Sequence, residues 1–285
     1  MLVKKLTILG PGLLGGSIGM AARARKVAGQ VVLWARRPEA SDDALAAGAA
    51  DAATLNLAEA VSGAELVVLA TPVGVMAELT RKMAPALAAN TIVTDVGSVK
   101  YPVVRELSHI LDGKARFVGS HPMAGSEQSG LKAARKDLFD DSVCILTPVE
   151  ETDPDALRIV ADFWKAIGAS IRTLPPLEHD EMVARVSHLP HLVAAALVSF
   201  VCNDGLRPME FAGGGLRDST RIASGPPDMW QEICATNREE VCRALEGFIE
   251  QLEAVRAMLE NKEEASLTAF LKRAKHMRDE MKFRR

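Results

Sequence analysis

A histidine within a run of small residues is the clearest chemical signal of the sequence. The run reads Gly-Ser-His-Pro-Met-Ala-Gly-Ser-Glu over positions 119–127 and follows residues 115–118, which are apolar apart from Arg116. Glycine permits close approach to the backbone, Pro122 restricts the residue before it, and histidine exchanges a proton near neutral pH. The pattern predicts a catalytic loop in which His121 accepts a proton, although an ordinary turn whose histidine binds a neighbouring carbonyl has the same residues.

A second signal lies near the N-terminus, where positions 10–15 fit the spacing G-x-G-x-x-G between an apolar run and a helical one. Strand, glycine turn and helix in this order are typical of dinucleotide binding. Gly10 would allow the tight turn, Gly12 the approach of a pyrophosphate, and Gly15 the packing of helix on strand. Further candidate contacts of the cofactor are Leu13, Leu14, Thr71 and Pro72.

The end of the next predicted strand, residues 31–34, bears on which cofactor binds. An acidic residue about twenty positions after the glycines holds the ribose 2′-hydroxyl of NAD. Ala35 stands there instead, and Arg36 and Arg37 follow it. Because a guanidinium can bind a 2′-phosphate through two hydrogen bonds, the sequence favours NADP over NAD. The alternative is two exposed arginines with Glu39 reaching back to the ribose.

Ser98 is a candidate substrate contact because it follows the predicted strand at residues 91–93. Ligands bind at the carboxyl ends of strands in open α/β sheets. Asp95 and Ser98 also resemble a helix cap that opens a helix over residues 101–109, and the two roles are compatible.

Two histidines flank a proline in the predicted helix at residues 180–200. Pro190 removes a backbone donor and is expected to interrupt this helix beside His188 and His191. A zinc site would need a third ligand, and none stands nearby in the sequence, so we expect no metal. Both histidines are therefore ligand contacts or structural hydrogen-bonding groups.

A glycine-rich segment, residues 213–215, precedes a pair of arginines and a carboxylate. We expect a loop in which Arg221 binds a carboxylate and Asp218 braces it three residues away. The alternative is a surface loop with an internal ion pair worth about 0–1 kcal/mol.

Elements that position these groups follow from the apolar pattern. Short strand-like runs alternate with helix-like stretches as far as residue 173, which predicts an α/β sheet. Beyond the two prolines at 175–176 only helices are expected, at residues 180–200, 229–235 and 238–259. The predicted fold class is thus α/β, with a Rossmann-like doubly wound sheet in a domain at 1–174 and an all-α domain at 175–285. The predicted strands are residues 6–9, 31–34, 66–69, 91–93, 117–118, 143–146 and 170–172.

Composition narrows the class of partner. The 285 residues carry a net charge of −3 without long runs of like charge, so neither nucleic acid nor an anionic membrane is expected as a partner. The four cysteines have no CxxC spacing, which favours a reducing compartment. No apolar run approaches the ~18 residues of a membrane helix. We expect a cytoplasmic protein that binds a small molecule.

Together these segments resemble the prephenate/arogenate dehydrogenase family of tyrosine biosynthesis, from residue 3 to about residue 240. The matching segments are residues 10–17, 95–100, 120–127, 187–191 and 217–223, followed by Trp230. The resemblance implies oxidative decarboxylation of a cyclohexadienol with hydride transfer to NAD(P)+, giving 4-hydroxyphenylpyruvate from prephenate or tyrosine from arogenate. It also implies a helical dimerisation domain, and hence a homodimer.

By the same resemblance, His121 would take the proton of the ring hydroxyl, and Ser98 would orient that hydroxyl and the nicotinamide. Arg221 would bind a carboxylate with the help of Asp218, and Trp230 would approach from a partner subunit. The remaining substrate contacts would be His188, His191 and Ser126. Glu178, Asp180 and Glu181 are candidate partners for the ammonium group of arogenate.

Other proteins with a Rossmann domain followed by helices remain as alternatives. A β-hydroxyacid dehydrogenase would carry a lysine on the first long helix of the second domain, and residues 178–201 contain none. An imine reductase shares the layout. A non-enzymatic NADP-sensing protein would keep the glycine motif without needing His121, Ser98 and Arg221.

Overall fold

Eight strands form one sheet in the N-terminal part of the chain, in the order β3-β2-β1-β4-β5-β6-β7-β8. The structure is a computed structural model that describes residues 1–126, 128–203 and 205–281. All neighbouring strands are parallel except β6 and β7, which pair antiparallel. The strands are β1 Val3–Leu9, β2 Ala28–Trp34, β3 Ala52–Thr54, β4 Leu66–Leu69, β5 Ile92–Asp95, β6 Arg116–Pro122, β7 Val143–Thr147 and β8 Ser170–Thr173.

Two apolar cores cover the two faces of this sheet. Leu6 and Ile8 of β1 are buried in one core and Leu9 in the other, as the alternation of side chains along a strand requires. In β4, Val68 and Leu69 divide in the same way. The sheet is therefore doubly wound, and the predicted fold class is confirmed. The chain reverses its direction of travel across the sheet between β1 and β4, where such folds have their ligand crevice.

Helices pack on the sheet and then make up the remainder of the chain. Those that connect the strands are α1 Leu13–Ala24, α2 Pro38–Ala46, α3 Leu57–Val61, α4 Val73–Met83, α5 Tyr101–Leu111 and α6 Pro154–Ala166. Those after the sheet are α7 Pro176–Val183, α8 Leu189–Val201, α9 Gly214–Thr220, α10 Pro227–Thr236, α11 Arg238–Glu260 and α12 Glu264–Glu280.

Two predictions about the strands are wrong. The prediction omitted β3, a three-residue strand of Ala and Thr at the sheet edge whose composition carries little strand signal. It also placed His121 in a loop, whereas β6 continues through Pro122 because β7 pairs with it from Cys144 to Thr147. The histidine is thus held by a strand ladder.

The helix with the two histidines is not broken at Pro190. The irregularity is a π-helical turn at Ala184–His188, and Pro190 follows it directly as the second residue of α8. The expected glycine loop is likewise helical, since α9 begins at Gly214.

Helices α7 and α8 run on as one apolar helix, Pro176–Val201. Among the described residues, this helix is long and apolar enough to cross a membrane when only length and composition are considered. Core helices of soluble proteins pass the same test. His179, Asp180, His188 and His191 on this helix are buried.

Candidate functional site

A glycine cradle lies at the crevice between β1 and β4. Gly10 has φ = +111°, which side chains rarely adopt, and a Cβ there would lie 2.6 Å from the carbonyl oxygen of Ala70. A Cβ at Gly15 would lie 2.0 Å from the carbonyl oxygen of Gly10, so the turn packs directly on α1. A Cβ at Gly12 would meet nothing within 4 Å. The backbone is therefore open to a ligand at Gly12.

Two sets of hydrogen-bonding groups at this crevice have no side-chain partner in the protein and suit a dinucleotide. The N-terminus of α1 after Gly12 has no side-chain cap, so its N–H groups are available to an anion. Thr71 follows β4, and its Oγ1 is buried without a hydrogen-bond partner, which costs free energy unless a ligand supplies one. Leu13 and Leu14 open α1, and Pro72 caps α4 beside Thr71.

Arg36 and Arg37 lie at the same edge of the sheet and are exposed. The N–H of Gly10 donates to the carbonyl of Trp34 at 3.1 Å, which ties the glycine turn to the end of β2. Ala35 is fully buried. The first side chains beyond the strand that can reach a ribose are therefore cationic.

A cavity of about 360 Å³ lies between the sheet and the helices that follow it. It brings together Ser98, His121, Ser126, His188 and Trp230 from the predicted site. The rest of its wall consists of Pro122, Met123, Ala124, Gly125, Ser187, Ile222, Gly225, Pro226, Met229 and Ile233.

A hydrogen-bond chain of three side chains ends at the cavity. Nδ1 of His121 is 2.8 Å from Nε2 of His179, whose Nδ1 is 2.7 Å from Oδ1 of Asp180. A carboxylate only accepts, so His179 carries its proton on Nδ1 and accepts on Nε2. His121 must then donate from Nδ1, which leaves its Nε2 without a proton.

Burial keeps these imidazoles neutral. Desolvation lowers the pKa of His121 well below 6.5, and electrostatic interactions with His179, Lys100 and His188 lower it further. Desolvation also lowers the pKa of His179, although the hydrogen bond that His179 donates to Asp180 raises it. At neutral pH, His121 is therefore an uncharged base.

Asp180 also fixes the joint between sheet and helices. Its two carboxylate oxygens accept from the backbone N–H groups of Lys100, at 2.7 Å, and Tyr101, at 2.8 Å. These groups open α5, so Asp180 on α7 caps a helix of the sheet domain. The prediction that Asp95 and Ser98 form this cap is wrong, because Asp95 is engaged elsewhere.

Asp95 forms a fully buried ion pair with Lys100. Asp95 accepts from the N–H groups of Gly97, at 2.8 Å, and Ser120, at 3.1 Å. Nζ of Lys100 also donates to the carbonyl of Ser120 at 3.0 Å. These bonds join the segment that carries Ser98 to the strand that carries His121.

The far wall of the cavity is aromatic. The ring of Trp230 stacks on His191 with centroids 3.7 Å apart and planes at 10°. Nδ1 of His191 is buried without a hydrogen-bond partner. His188 meets Trp230 edge-on, and its Nδ1 is 3.3 Å from Nδ2 of Asn237. Trp230 lines the cavity of its own chain.

The arginine segment lies outside this wall. Arg221 is exposed and directly precedes Ile222, which lines the cavity. Oδ1 of Asp218 accepts from Nε of Arg217 at 3.3 Å, where a brace on Arg221 was expected. Glu127, the last residue of the histidine motif, lies outside the described residues.

Sequence reasoning missed His179 and Lys100, considered Asp95 only as a helix cap, and misjudged Asp180. Asp180 was considered as a partner for an ammonium group, but it is buried and all its contacts are internal. The adjacent pair at 179–180 is visible in the sequence, yet nothing local indicates that it meets residues about 60 to 80 positions earlier. The described residues contain no cluster suited to a metal ion.

Comparisons with known proteins agree on one family. A model described as "Prephenate dehydrogenase, nucleotide-binding domain" matches residues 18–173, and one described as "Prephenate dehydrogenase, dimerization domain" matches residues 175–273. Prephenate dehydrogenase of Bacillus subtilis strain 168 is 34% identical over 98% of this chain and 76% of its own length. Cyclohexadienyl dehydrogenase of Zymomonas mobilis is 35% identical over 90% of this chain and 88% of its own length.

A solved structure has the same fold throughout. Prephenate dehydrogenase of Aquifex aeolicus, in complex with hydroxyphenyl propionate and NAD+, superposes with a TM-score of 0.92. It is 33% identical, and the match covers 98% of each chain.

We expect the free energy of unfolding to fall as the pH drops from 6.5 towards 4. Burial lowers the pKa of His188 from 6.5 to about 4, so in this window the unfolded chain binds a proton that the folded chain does not. The free energy of unfolding is therefore highest above pH 6.5 and falls below it. Protonation of His188 in the unfolded chain accounts for about 3 kcal/mol of this loss near pH 4. Urea unfolding across this range should show a shallower loss for His188→Asn; equal slopes would contradict the assignment.

Proposed function

The chain belongs to the prephenate dehydrogenase family, and we propose that its cavity binds prephenate, arogenate or both, with His121 at the ring hydroxyl. It is an oxidoreductase that removes hydride and carbon dioxide from a cyclohexadienol, with NAD(P)+ as hydride acceptor. One observation carries the residue assignment: the hydrogen-bond chain from Asp180 through His179 to His121 ends at the cavity that Ser98 also lines.

The bare Nε2 of His121 suits the proton transfer that this reaction needs. As hydride leaves the carbinol carbon, the hydroxyl becomes more acidic and its proton passes to Nε2. A general base in this position supplies about 10²–10⁴-fold in rate. When bound, the nicotinamide accepts the hydride. The bond to the carboxylate then breaks, its electron pair completes the aromatic ring, and the new phenolate oxygen takes the proton back.

Other side chains would hold the substrate in place. Ser98, which lines the same cavity as His121, would orient the ring hydroxyl. Trp230 and His188 would pack on the ring, and His191 would support Trp230 through their stacking. Arg221 would reach a substrate carboxylate from the segment that also supplies Ile222 to the wall. Positioning of this kind contributes up to about 7–11 kcal/mol for ideally placed partners.

The charged residues in and near the cavity wall bear on whether the substrate is prephenate or arogenate. Of the described residues that line the cavity, none is acidic. Asp180 is fully engaged, Glu178 is exposed and Glu181 is half-buried, and none of the three lines the cavity. An ammonium group would seek a carboxylate, so these contacts favour the keto acid prephenate.

We propose NADP as the favoured cofactor, with NAD as the alternative. The exposed Arg36 and Arg37 support the first, while the Aquifex relative was solved with NAD+. The relatives do not favour the β-hydroxyacid dehydrogenase, imine reductase or sensor alternatives. His121 together with Ser98 in one cavity is a further argument against a sensor.

We also propose a homodimer in the cytoplasm. The second family model describes a dimerization domain, and the helices it covers expose large apolar side chains, among them Phe200 and Phe211, each 80% exposed. Surfaces of this kind mark interaction sites. A second copy, rather than lipid, would then cover the apolar face of Pro176–Val201.

Replacement of His121 by asparagine tests the assignment of the base. We expect wild-type protein to reduce NAD(P)+ with prephenate, seen at 340 nm, and His121→Asn to lose about 10²–10⁴-fold in kcat. Dinucleotide affinity should stay unchanged, because His121 lies outside the glycine cradle. The matched control is His109→Asn, at an exposed position on α5. Near-normal turnover in His121→Asn would remove the assignment, and inactive wild-type protein would overturn the proposed function.

Replacement of both arginines by alanine tests the cofactor preference. Arg36→Ala/Arg37→Ala should lower kcat/KM with NADP+ by about tenfold or more, since a charged hydrogen bond to phosphate is worth about 1.5–3 kcal/mol. The value with NAD+ should hardly change. Equal losses with both cofactors would show that the arginines do not read the 2′-phosphate.

A further inference from the structure

We propose that Glu232 is a positioning residue that latches the substrate wall onto the cofactor crevice. Its Oε1 accepts from the backbone N–H of Gly74. We call this bond between Glu232 and Gly74 the interdomain latch. The inference rests on the proposed function, because it concerns how that site closes.

The contact joins two elements that the reaction must align. Gly74 is the second residue of α4, which follows β4 and the unpaired Thr71 at the crevice. Glu232 lies on α10, between Trp230 and Ile233, and both of these line the cavity. The latch therefore fixes the helix that carries the aromatic wall to the edge of the sheet that would hold the nicotinamide.

The bond is chemically well suited to α4. This helix begins after Pro72, which provides no side-chain cap, so the N–H of Gly74 has no partner within the helix. A carboxylate at this end interacts favourably with the helix dipole, and hydrogen bonds to charged groups are about twice as strong as neutral ones. A Cβ at Gly74 would lie 3.0 Å from Oε1, so glycine here leaves room for the close approach.

A comparison with Asp180 indicates which contact can open. Both carboxylates come from the helical domain and cap helices of the sheet domain, Asp180 on α5 and Glu232 on α4. Asp180 is 2% exposed and makes further buried bonds. Glu232 is only half-buried. The Asp180 cap is thus the fixed joint, and the Glu232 cap is the contact that forms and breaks at the mouth of the cleft.

The test combines three variants of α10 with two readouts. Glu232→Ala removes the acceptor, Glu232→Gln keeps an oxygen for Gly74 without the charge, and Gln231→Ala is the control at the exposed neighbouring position. We expect Glu232→Ala to lower kcat by about tenfold while the dissociation constant of NAD(P)+ stays within about twofold, because the cradle lies wholly in the sheet domain. Glu232→Gln should recover most of the loss.

Hydrogen exchange of the Gly74 amide measures whether the interdomain latch is formed, and it needs no substrate. Exchange should be faster in Glu232→Ala than in wild type, and unchanged in Gln231→Ala. Wild-type kinetics and exchange in Glu232→Ala would overturn the proposal. If wild-type protein turned over neither prephenate nor arogenate, the proposed function would fail, and the exchange rates alone would still decide whether the latch exists.

Discussion

The hydrogen-bond chain from Asp180 through His179 to His121 determines which nitrogen of His121 carries the proton. It also determines how the helical domain packs against the sheet domain. The same carboxylate that orients His179 caps α5 of the sheet domain. The position of the proton on His121 and the packing of the helices against the sheet are therefore consequences of one side chain. A shift of α7 against the sheet would break the cap and release the imidazole together. This coupling explains why the base lies at the boundary between two domains.

Burial keeps His121 neutral, but it also places charged side chains where they cost free energy. Asp95 and Lys100 are fully buried beside the chain, and an unpaired charge there would cost several kcal/mol. Their mutual bond and the backbone groups of Gly97 and Ser120 offset that cost. In return, the cation lowers the pKa of His121 and the bonds hold Ser98 at the cavity. The charge that stabilises the loop thereby adds to the desolvation that keeps the base neutral.

Local sequence patterns predicted the sheet, the glycine cradle, the change to helices after the prolines and the place of His121 at a cavity. They failed where the outcome depends on distant partners. His121 was placed in a loop because the sequence around it does not indicate that this segment pairs with β7. Asp180 was read as a free acid because its role depends on Lys100 and Tyr101, about 80 residues earlier. Apolar periodicity indicates which face of its own helix or strand a residue occupies. The partners in a buried polar network depend instead on which distant elements the fold brings together.

The tautomer of His121 is the most direct test of this account. Nitrogen-15 NMR of the histidine rings at pH 7, with assignment by the loss of signals in His121→Asn, distinguishes a proton on Nδ1 from one on Nε2. We expect a neutral ring protonated on Nδ1, and a change in this signal in Asp180→Asn. A ring protonated on Nε2, or on both nitrogens, would contradict the claim that Asp180 fixes a bare nitrogen towards the cavity.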